Sequence, residues 1–152
     1  MAQTDDSGSD RAGFPAKWPF PPNPYNPLCW VIGTPSIGEK CWVGAFTLLD
    51  GSGGLTIGSG CDISSGAQIL THSSMRRTVT ERRYPDVDRA PTVIGDHCFI
   101  GTSAVVLMGA HIGHHSVVAA GAVVTEFAEF APYSLIAGVP AVRKGAVDVE
   151  PR

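Results

Sequence analysis

The sequence has few charged residues and no long apolar run, and both absences limit what the chain can be. Charged residues make up 16% of the 152 positions and the formal net charge is −3, without the basic stripe that is typical of nucleic-acid-binding proteins. No apolar run approaches the roughly 18 residues of a membrane-spanning helix, and the start does not resemble a secretory signal. We therefore expect a cytoplasmic protein that binds neither nucleic acid nor membrane.

Cysteine pairs at metal-binding spacing are absent as well. The four cysteines contain no C-x-x-C motif, which argues against a zinc site. They occupy positions that elsewhere in the chain hold small residues, and a free thiol behaves as a small buried hydrophobe. The sequence thus predicts reduced core cysteines and no metal site.

A six-residue repeat of aliphatic residues is the main feature that is present. It runs from Val31 to Leu49, from Ile57 to Ile69 and from Ile94 to Ile136. Fifteen positions carry it, and all but Phe130 are Val, Ile or Leu. A small residue or a proline stands two positions before thirteen of them. Because residues two apart on a strand share a face, both positions should point inward.

A fixed short period indicates stacked repeats, each of which buries its face against its neighbours. Six residues are too few for helical repeats, which need about 33 or more, but suit an all-β parallel β-helix with three hexapeptides per coil. We predict this domain at residues 31–141. Residues 1–30 are predicted to be a disordered tail followed by a strap rich in proline and aromatic residues, and 142–152 a short C-terminal tail.

One long loop, residues 75–93, interrupts the repeat. It contains five of the eleven lysines and arginines, and loops of this length are usually functional or disordered. A solvated surface loop and a loop that binds an anion are both open interpretations. Since arginine favours phosphate and carboxylate groups, Arg76 and Arg77, together with Tyr84, are the candidate substrate-binding residues.

His72 is the candidate functional histidine by its position. The chain has five histidines, and His72 alone lies immediately before the long loop. There the surface of the coil and the loop can together form a cleft.

The repeat resembles that of a known enzyme superfamily. The hexads Ile37–Trp42, Ile94–Phe99 and Ile112–Val117 resemble the hexapeptide repeats of left-handed β-helix acyltransferases. The stretch that ends in His72, the loop after it and the segment Pro91–Gly101 are similar to the maltose and galactoside O-acetyltransferases and related sugar acetyltransferases. This resemblance implies a left-handed coil, acetyl-CoA as co-substrate and a homotrimer with active sites between subunits.

The resemblance also implies a role for His72. In those enzymes the histidine before the loop is the general base, and a hydroxyl of a sugar or similar small acceptor receives the acetyl group. An imidazole, with an ordinary pKa of about 6.5, can accept the proton that the hydroxyl loses as it attacks the thioester. Asp50, one coil below, is the candidate for orienting the imidazole, and Asp86 and Asp88 are the alternatives.

The resemblance further assigns coenzyme contacts. Thr102, Ala120 and Thr125 match positions that line the pantetheine groove. Arg143 and Lys144 are the candidates for the coenzyme phosphates, although the family usually places its basic residue one position earlier. The galactoside enzymes also present an asparagine to the acceptor about one coil before the histidine. Residues 45–47 contain none, which indicates an acceptor other than a galactoside.

Three other functions are compatible with such a coil. One is N-acetylation of an amino sugar or nucleotide sugar, which the loop arginines would suit. A second is a non-catalytic β-helix scaffold. A γ-class carbonic anhydrase is disfavoured, because Thr102 and Leu107 stand where that enzyme needs zinc-binding histidines.

Overall fold

The chain folds as a stack of short strands that wind around one apolar core. The computed structural model describes residues 20–150. In chain order the elements are β1 (Trp30–Ile32), β2 (Ser36–Ile37), β3 (Trp42–Val43), β4 (Leu48–Asp50), β5 (Leu55–Ile57), β6 (Asp62–Ile63), β7 (Gln68–Ile69), β8 (His72–Ser73), α1 (Met75–Val79), β9 (Asp88–Arg89), β10 (Thr92–Ile94), β11 (Phe99–Ile100), β12 (Val105–Val106), β13 (His111–Ile112), β14 (Val117–Val118), β15 (Val123–Val124), β16 (Glu129–Phe130), β17 (Ser134–Gly138) and β18 (Ala141–Ala146).

Three sheets form the faces of a prism. The first face has the order β1-β4-β7-β12-β15, the second β2-β5-β10-β13-β16 and the third β3-β6-β11-β14-β17-β18. From β1 to β17 consecutive strands of the coil occupy different faces, apart from β8 and β9, which pair only with each other; strand pairs within a face are parallel until β18. The predicted all-β fold, a parallel β-helix of hexapeptide repeats, is confirmed.

The strand register follows the repeat directly. Val31 pairs with Leu49, eighteen positions later, which is three hexads. Leu49 pairs with Ile69 after twenty positions because two residues are inserted, and Ile69 pairs with Val106 after thirty-seven because the long loop intervenes. From Val106 to Val124 the step is eighteen again. Both irregularities therefore lie outside the stacked strands, and both fall beside one corner.

The core consists of the two inward positions of each hexad. Leu49, Ile69 and Val106 are fully buried, as are Cys61 and Ala67 at the small positions. Large and small side chains alternate at these positions, as expected for the narrow interior of a small coil. All four cysteines are free, and three are buried while Cys41 is partly exposed.

The C-terminal part differs from the prediction. The tail predicted at residues 142–152 is wrong for its first part, because β18 covers Ala141–Ala146 and pairs antiparallel with β17. The chain reverses after Gly138, whose φ of +99° suits glycine. Val147 then donates a backbone hydrogen bond to Tyr133, at 2.8 Å. The strand was missed because its exposed face carries no regular alternation of apolar and polar residues.

The described part of the N-terminal segment lies against the first coil. Tyr25 packs on the core, Phe20 stacks on Trp30 at 5.5 Å, and the side-chain amide of Asn26 donates to the Val43 carbonyl at 3.1 Å. The tail and the first part of the strap predicted at residues 1–30, up to residue 19, lie outside the described residues. Between residues 20 and 150 no helix is long and apolar enough to cross a membrane.

Candidate active site

A two-residue insertion after β4 shapes the corner at which Asp50 lies. The backbone N–H of Ser52 donates to Asp50 Oδ1 at 2.9 Å, and that of Gly53 donates to Thr71 Oγ1 at 2.8 Å. A Cβ at Gly53 would lie 2.2 Å from the Thr71 carbonyl oxygen, so only glycine fits there. The insertion thus places two backbone N–H groups at the end of β4, one directed at Asp50 and one at Thr71.

Asp50 is a fully buried carboxylate with several hydrogen-bond donors. Its Oδ2 accepts from the backbone N–H and the hydroxyl of Thr71, both at 2.9 Å, and lies 2.5 Å from His72 Nδ1. Burial alone would raise the pKa of Asp50, but hydrogen bonds from Ser52, Thr71 and His72 outweigh it and hold the pKa well below its usual value. The carboxylate therefore stays ionised at neutral pH.

His72 stands at the surface above this carboxylate. It begins β8, and its side chain is 38% exposed while that of Asp50 is fully buried. An ionised carboxylate can only accept, so Nδ1 carries the hydrogen and the neutral imidazole keeps its lone pair on Nε2. This His–Asp arrangement resembles the base and orienting groups of hydrolytic triads. It presents a base at the surface of the coil.

The long loop is folded rather than irregular. β8 and β9 pair antiparallel, so that His72 lies opposite Arg89 and Ser73 opposite Asp88. The helix α1 connects them with a turn at residues 80–87. The long loop predicted at residues 75–93 thus contains a helical turn and one strand of a short hairpin, because tertiary contacts order a segment that has no sequence periodicity.

Asp88 is the centre of a clamp inside this loop. Its Oδ1 accepts from Arg76 Nη2 at 2.7 Å and from the Tyr84 hydroxyl at 3.2 Å. The Arg76 guanidinium also lies 3.5 Å from the centroid of the Tyr84 ring. The charge of Arg76 is thus paired within the loop, and Asp88 contacts Arg76 rather than His72. Of the three candidate carboxylates, Asp50 is the one in contact with the imidazole.

The predicted coenzyme residues lie at more than one corner of the prism. Thr102 and Ala120 follow third-face strands in neighbouring coils, and the Gly121 N–H donates to the Thr102 carbonyl at 2.9 Å. Thr125 follows β15 of the first face, so it shares a corner with His72.

The remaining candidates are on the surface. Arg143 and Lys144 lie exposed on β18, and Arg77 is partly buried on α1. A single chain therefore does not bring all of the candidate coenzyme residues to His72.

Three of the other four histidines lie at a different corner, and His111 begins β13 on the second face. His97, His114 and His115 are exposed where the second face meets the third, and the His115 ring stacks on Tyr133 with centroids 5.0 Å apart. Among residues 20–150 no three His, Cys, Asp or Glu side chains are arranged to hold a metal ion.

Sequence reasoning missed Thr71 and Ser52 as partners of Asp50. The signal that could have found them is the two-residue shift of the repeat. An insertion rich in glycine and serine directly after an aspartate indicates a corner with free backbone donors. Thr71 lies one coil above that corner and beside His72.

Comparison with known proteins agrees with the fold. Residues 91–126 match the family model described as the hexapeptide repeat of succinyl-transferase. No curated protein sequence matches the chain. Many solved structures match it, and three of them illustrate the range of sequence identity and of named activities.

A hexapeptide-repeat-containing acetyltransferase from Vibrio cholerae is 31% identical, with a TM-score of 0.64, over 76% of this chain and 64% of that one. The same Vibrio protein has a structure in complex with acetyl-coenzyme A. The chain thus spans a little under two thirds of this relative.

Two more distant structures share the fold. The N-acyltransferase AntD from Bacillus cereus, in complex with dTDP and 3-hydroxybutyryl-CoA, is 21% identical with a TM-score of 0.69, over 80% of this chain and 67% of that one. A maltose O-acetyltransferase from Clostridium difficile 630 is 20% identical with a TM-score of 0.62, over the same shares of the two chains.

Proposed function

We propose that the chain is an acyltransferase of the hexapeptide-repeat type and that it transfers an acetyl group from acetyl-CoA to a hydroxyl of a sugar or similar small acceptor. The observation that carries the proposal is the contact between His72 and the buried, ionised Asp50. A half-exposed imidazole held in this way at a corner of the coil is suited to remove a proton from a bound hydroxyl.

The reaction is a direct transfer between the two substrates. Nε2 of His72 takes the hydroxyl proton while the oxygen attacks the thioester carbonyl, and Asp50 stabilises the imidazolium that forms. The tetrahedral intermediate collapses, the carbon–sulfur bond breaks, and the proton passes to the departing thiolate of CoA. General-base assistance of this kind contributes roughly 10²- to 10⁴-fold.

The coenzyme residues favour a site between two copies of the chain. Thr102 and Ala120 lie at a different corner from His72, so the groove they would line reaches His72 only if another copy supplies it. Exposed aromatic residues on the coil support association, with Trp42 55%, Phe46 68% and Phe99 43% exposed. We therefore propose a homotrimer in which Thr102, Ala120 and Thr125 bind the pantetheine arm and Arg143 and Lys144 lie near the phosphates.

The loop forms the acceptor side of the proposed site. Arg76 is paired with Asp88 and packed on Tyr84, so its role would be to hold the loop beside His72. Arg77, on the same helix, is the better candidate for contact with an anionic group. Tyr84 would form a wall of the acceptor site.

N-acylation of an amino sugar or nucleotide sugar is the second candidate. The similarity in fold to AntD, whose complexes contain dTDP and an acyl-CoA, favours it. A non-catalytic scaffold has no need for a buried carboxylate that orients a surface imidazole.

Release of CoA from acetyl-CoA tests the proposal. The purified chain should release CoA in the presence of at least one hydroxylated sugar in a panel that also includes amino sugars and nucleotide amino sugars. Mass spectrometry of the product then separates an ester from an amide. Absence of CoA release with every acceptor would contradict the proposed activity.

A further inference from the structure

The side chain of Thr71 connects the buried carboxylate of Asp50 to the coil. Thr71 is fully buried, and its Oγ1 lies 2.8 Å from the Asp50 carbonyl oxygen and 2.9 Å from Asp50 Oδ2. The same oxygen accepts the Gly53 N–H at 2.8 Å, and the Thr71 N–H donates to Oδ2 at 2.9 Å. The residue thus contacts Asp50 through both its backbone and its side chain.

These contacts fix how the carboxylate is turned. Oδ1 accepts from the Ser52 N–H, while Oδ2 faces the two Thr71 donors and the imidazole of His72. Rotation of the carboxylate about its Cβ–Cγ bond would break these hydrogen bonds, and Oδ1 has only the Ser52 N–H to resist it. The additional donors on Oδ2 restrict that rotation and keep this oxygen directed at Nδ1.

We propose that Thr71 is a positioning residue for His72, which acts through Asp50. Its single hydroxyl hydrogen is shared between the Asp50 carbonyl oxygen and Oδ2, and the contact with Oδ2 holds the carboxylate in the orientation that keeps the imidazole hydrogen on Nδ1 and the lone pair on Nε2. The consequence for catalysis rests on the proposed function, whereas the consequence for the tautomer of His72 does not.

A purely structural role for Thr71 is the competing explanation, and Thr92 provides a matched control for it. Thr92 is also fully buried, its Oγ1 donates to the Leu70 carbonyl at 2.8 Å, and the same oxygen accepts the Gly109 N–H at 3.1 Å. Thr92 therefore makes the same two kinds of backbone contact without touching Asp50. A loss of stability or activity that is the same on substitution of either threonine is therefore structural.

The test compares Thr71→Val with Thr92→Val, and Thr71→Ser with the parent. Valine keeps the volume of threonine and removes the hydroxyl, while serine keeps the hydroxyl. Urea unfolding measures the structural cost, and ¹⁵N-edited NMR of the imidazole nitrogens reports which ring nitrogen of His72 carries the hydrogen. Steady-state kinetics of acetyl transfer give kcat and KM.

We expect the two valine variants to lose similar amounts of stability but to differ in the tautomer of His72 and in kcat. Thr71→Val should reduce the fraction of His72 protonated on Nδ1 and lower kcat about 10-fold or more, as loss of an orienting partner does elsewhere, with KM little changed. Thr92→Val should leave the tautomer and kcat as in the parent, and Thr71→Ser should restore both.

Equal tautomer populations in the two valine variants would overturn the proposal, whatever the kinetics. If the parent transfers no acetyl group, the proposed function fails while the NMR comparison still decides the role of Thr71. Should Thr71→Val not fold, Thr71→Ala removes the same hydroxyl without placing a second methyl group among buried atoms, and the same outcomes apply.

Discussion

At the scale of single residues, the site depends on a carboxylate that remains ionised although it is fully buried. Asp50 does so because Ser52, Thr71 and His72 direct donors at its two oxygens. A buried charge is otherwise costly. Its hydrogen bonds therefore link the stability of this corner to the protonation state of one residue.

Asp50→Asn should show this link as a pH-dependent loss of stability. Because hydrogen bonds lower the pKa of Asp50 in the folded chain, its contribution is fully present above the unfolded-state pKa and is lost as the pH falls toward the folded-state pKa. We expect the variant to lose about 2 kcal/mol of unfolding free energy at pH 7.

The difference in unfolding free energy between the parent and Asp50→Asn should then narrow by about 1 kcal/mol as the pH falls from 4 to 3. Urea unfolding followed by circular dichroism at a series of pH values measures it. A gap that is the same at pH 7 and pH 3 would show that the carboxylate is not held ionised in the fold.

At the scale of elements, the corner between the first and second faces carries both irregularities of the repeat. The insertion after β4 supplies one backbone donor to Asp50 and one to Thr71, and the long loop emerges one coil later, directly after His72. The helix α1 and the hairpin of β8 and β9 keep that loop beside the imidazole. The proposed catalytic residues depend on segments that leave the stacked strands.

The repeat made part of this element structure predictable. A period of six with three hexads per coil places Asp50 one coil below His72, so their neighbourhood follows from counting residues. The hydrogen bonds of Thr71 could not be predicted, because they depend on how the inserted residues turn at the corner. The pairing of Arg76 with Asp88 could not be predicted either, since it joins residues of a loop that has no periodicity.

Asp88→Asn should loosen the loop, and Asp86→Asn is the matched control because Asp86 is exposed and makes no part of the clamp. The Arg76–Asp88 pair is partly exposed, so we expect its loss to cost no more than about 1 kcal/mol. Tryptic cleavage after Arg83, which is exposed in the same loop, should accordingly rise by up to about fivefold, and KM for the acceptor should rise more than kcat falls. Equal cleavage rates in the two variants would contradict a role for the clamp in ordering the loop.

At the scale of the whole molecule, the two halves of the proposed site lie at different corners of one chain. His72 and Asp50 lie at one corner, and Thr102 and Ala120 at another. The exposed aromatic residues Trp42, Phe46 and Phe99 give the coil apolar surface that a closed assembly would cover. Assembly and activity are therefore expected to depend on each other.

Sedimentation equilibrium tests this expectation. The chain has a mass of 15.9 kDa, so a closed trimer would have a mass of about 48 kDa. Transfer activity should fall as dilution dissociates the assembly. A mass near that of one chain at concentrations where transfer is fully active would rule out a site shared between copies.

The rate of CoA release by His72 variants tests the central claim most directly. His72→Asn keeps an N–H that can reach Asp50 but has no base, His72→Ala removes both, and His97→Ala is the control at a distant corner. We predict that both His72 variants fold and bind acetyl-CoA but lose roughly 10²-fold or more in kcat, while His97→Ala keeps the parental rate. Parental kcat in either His72 variant would contradict the assignment of His72 as the general base.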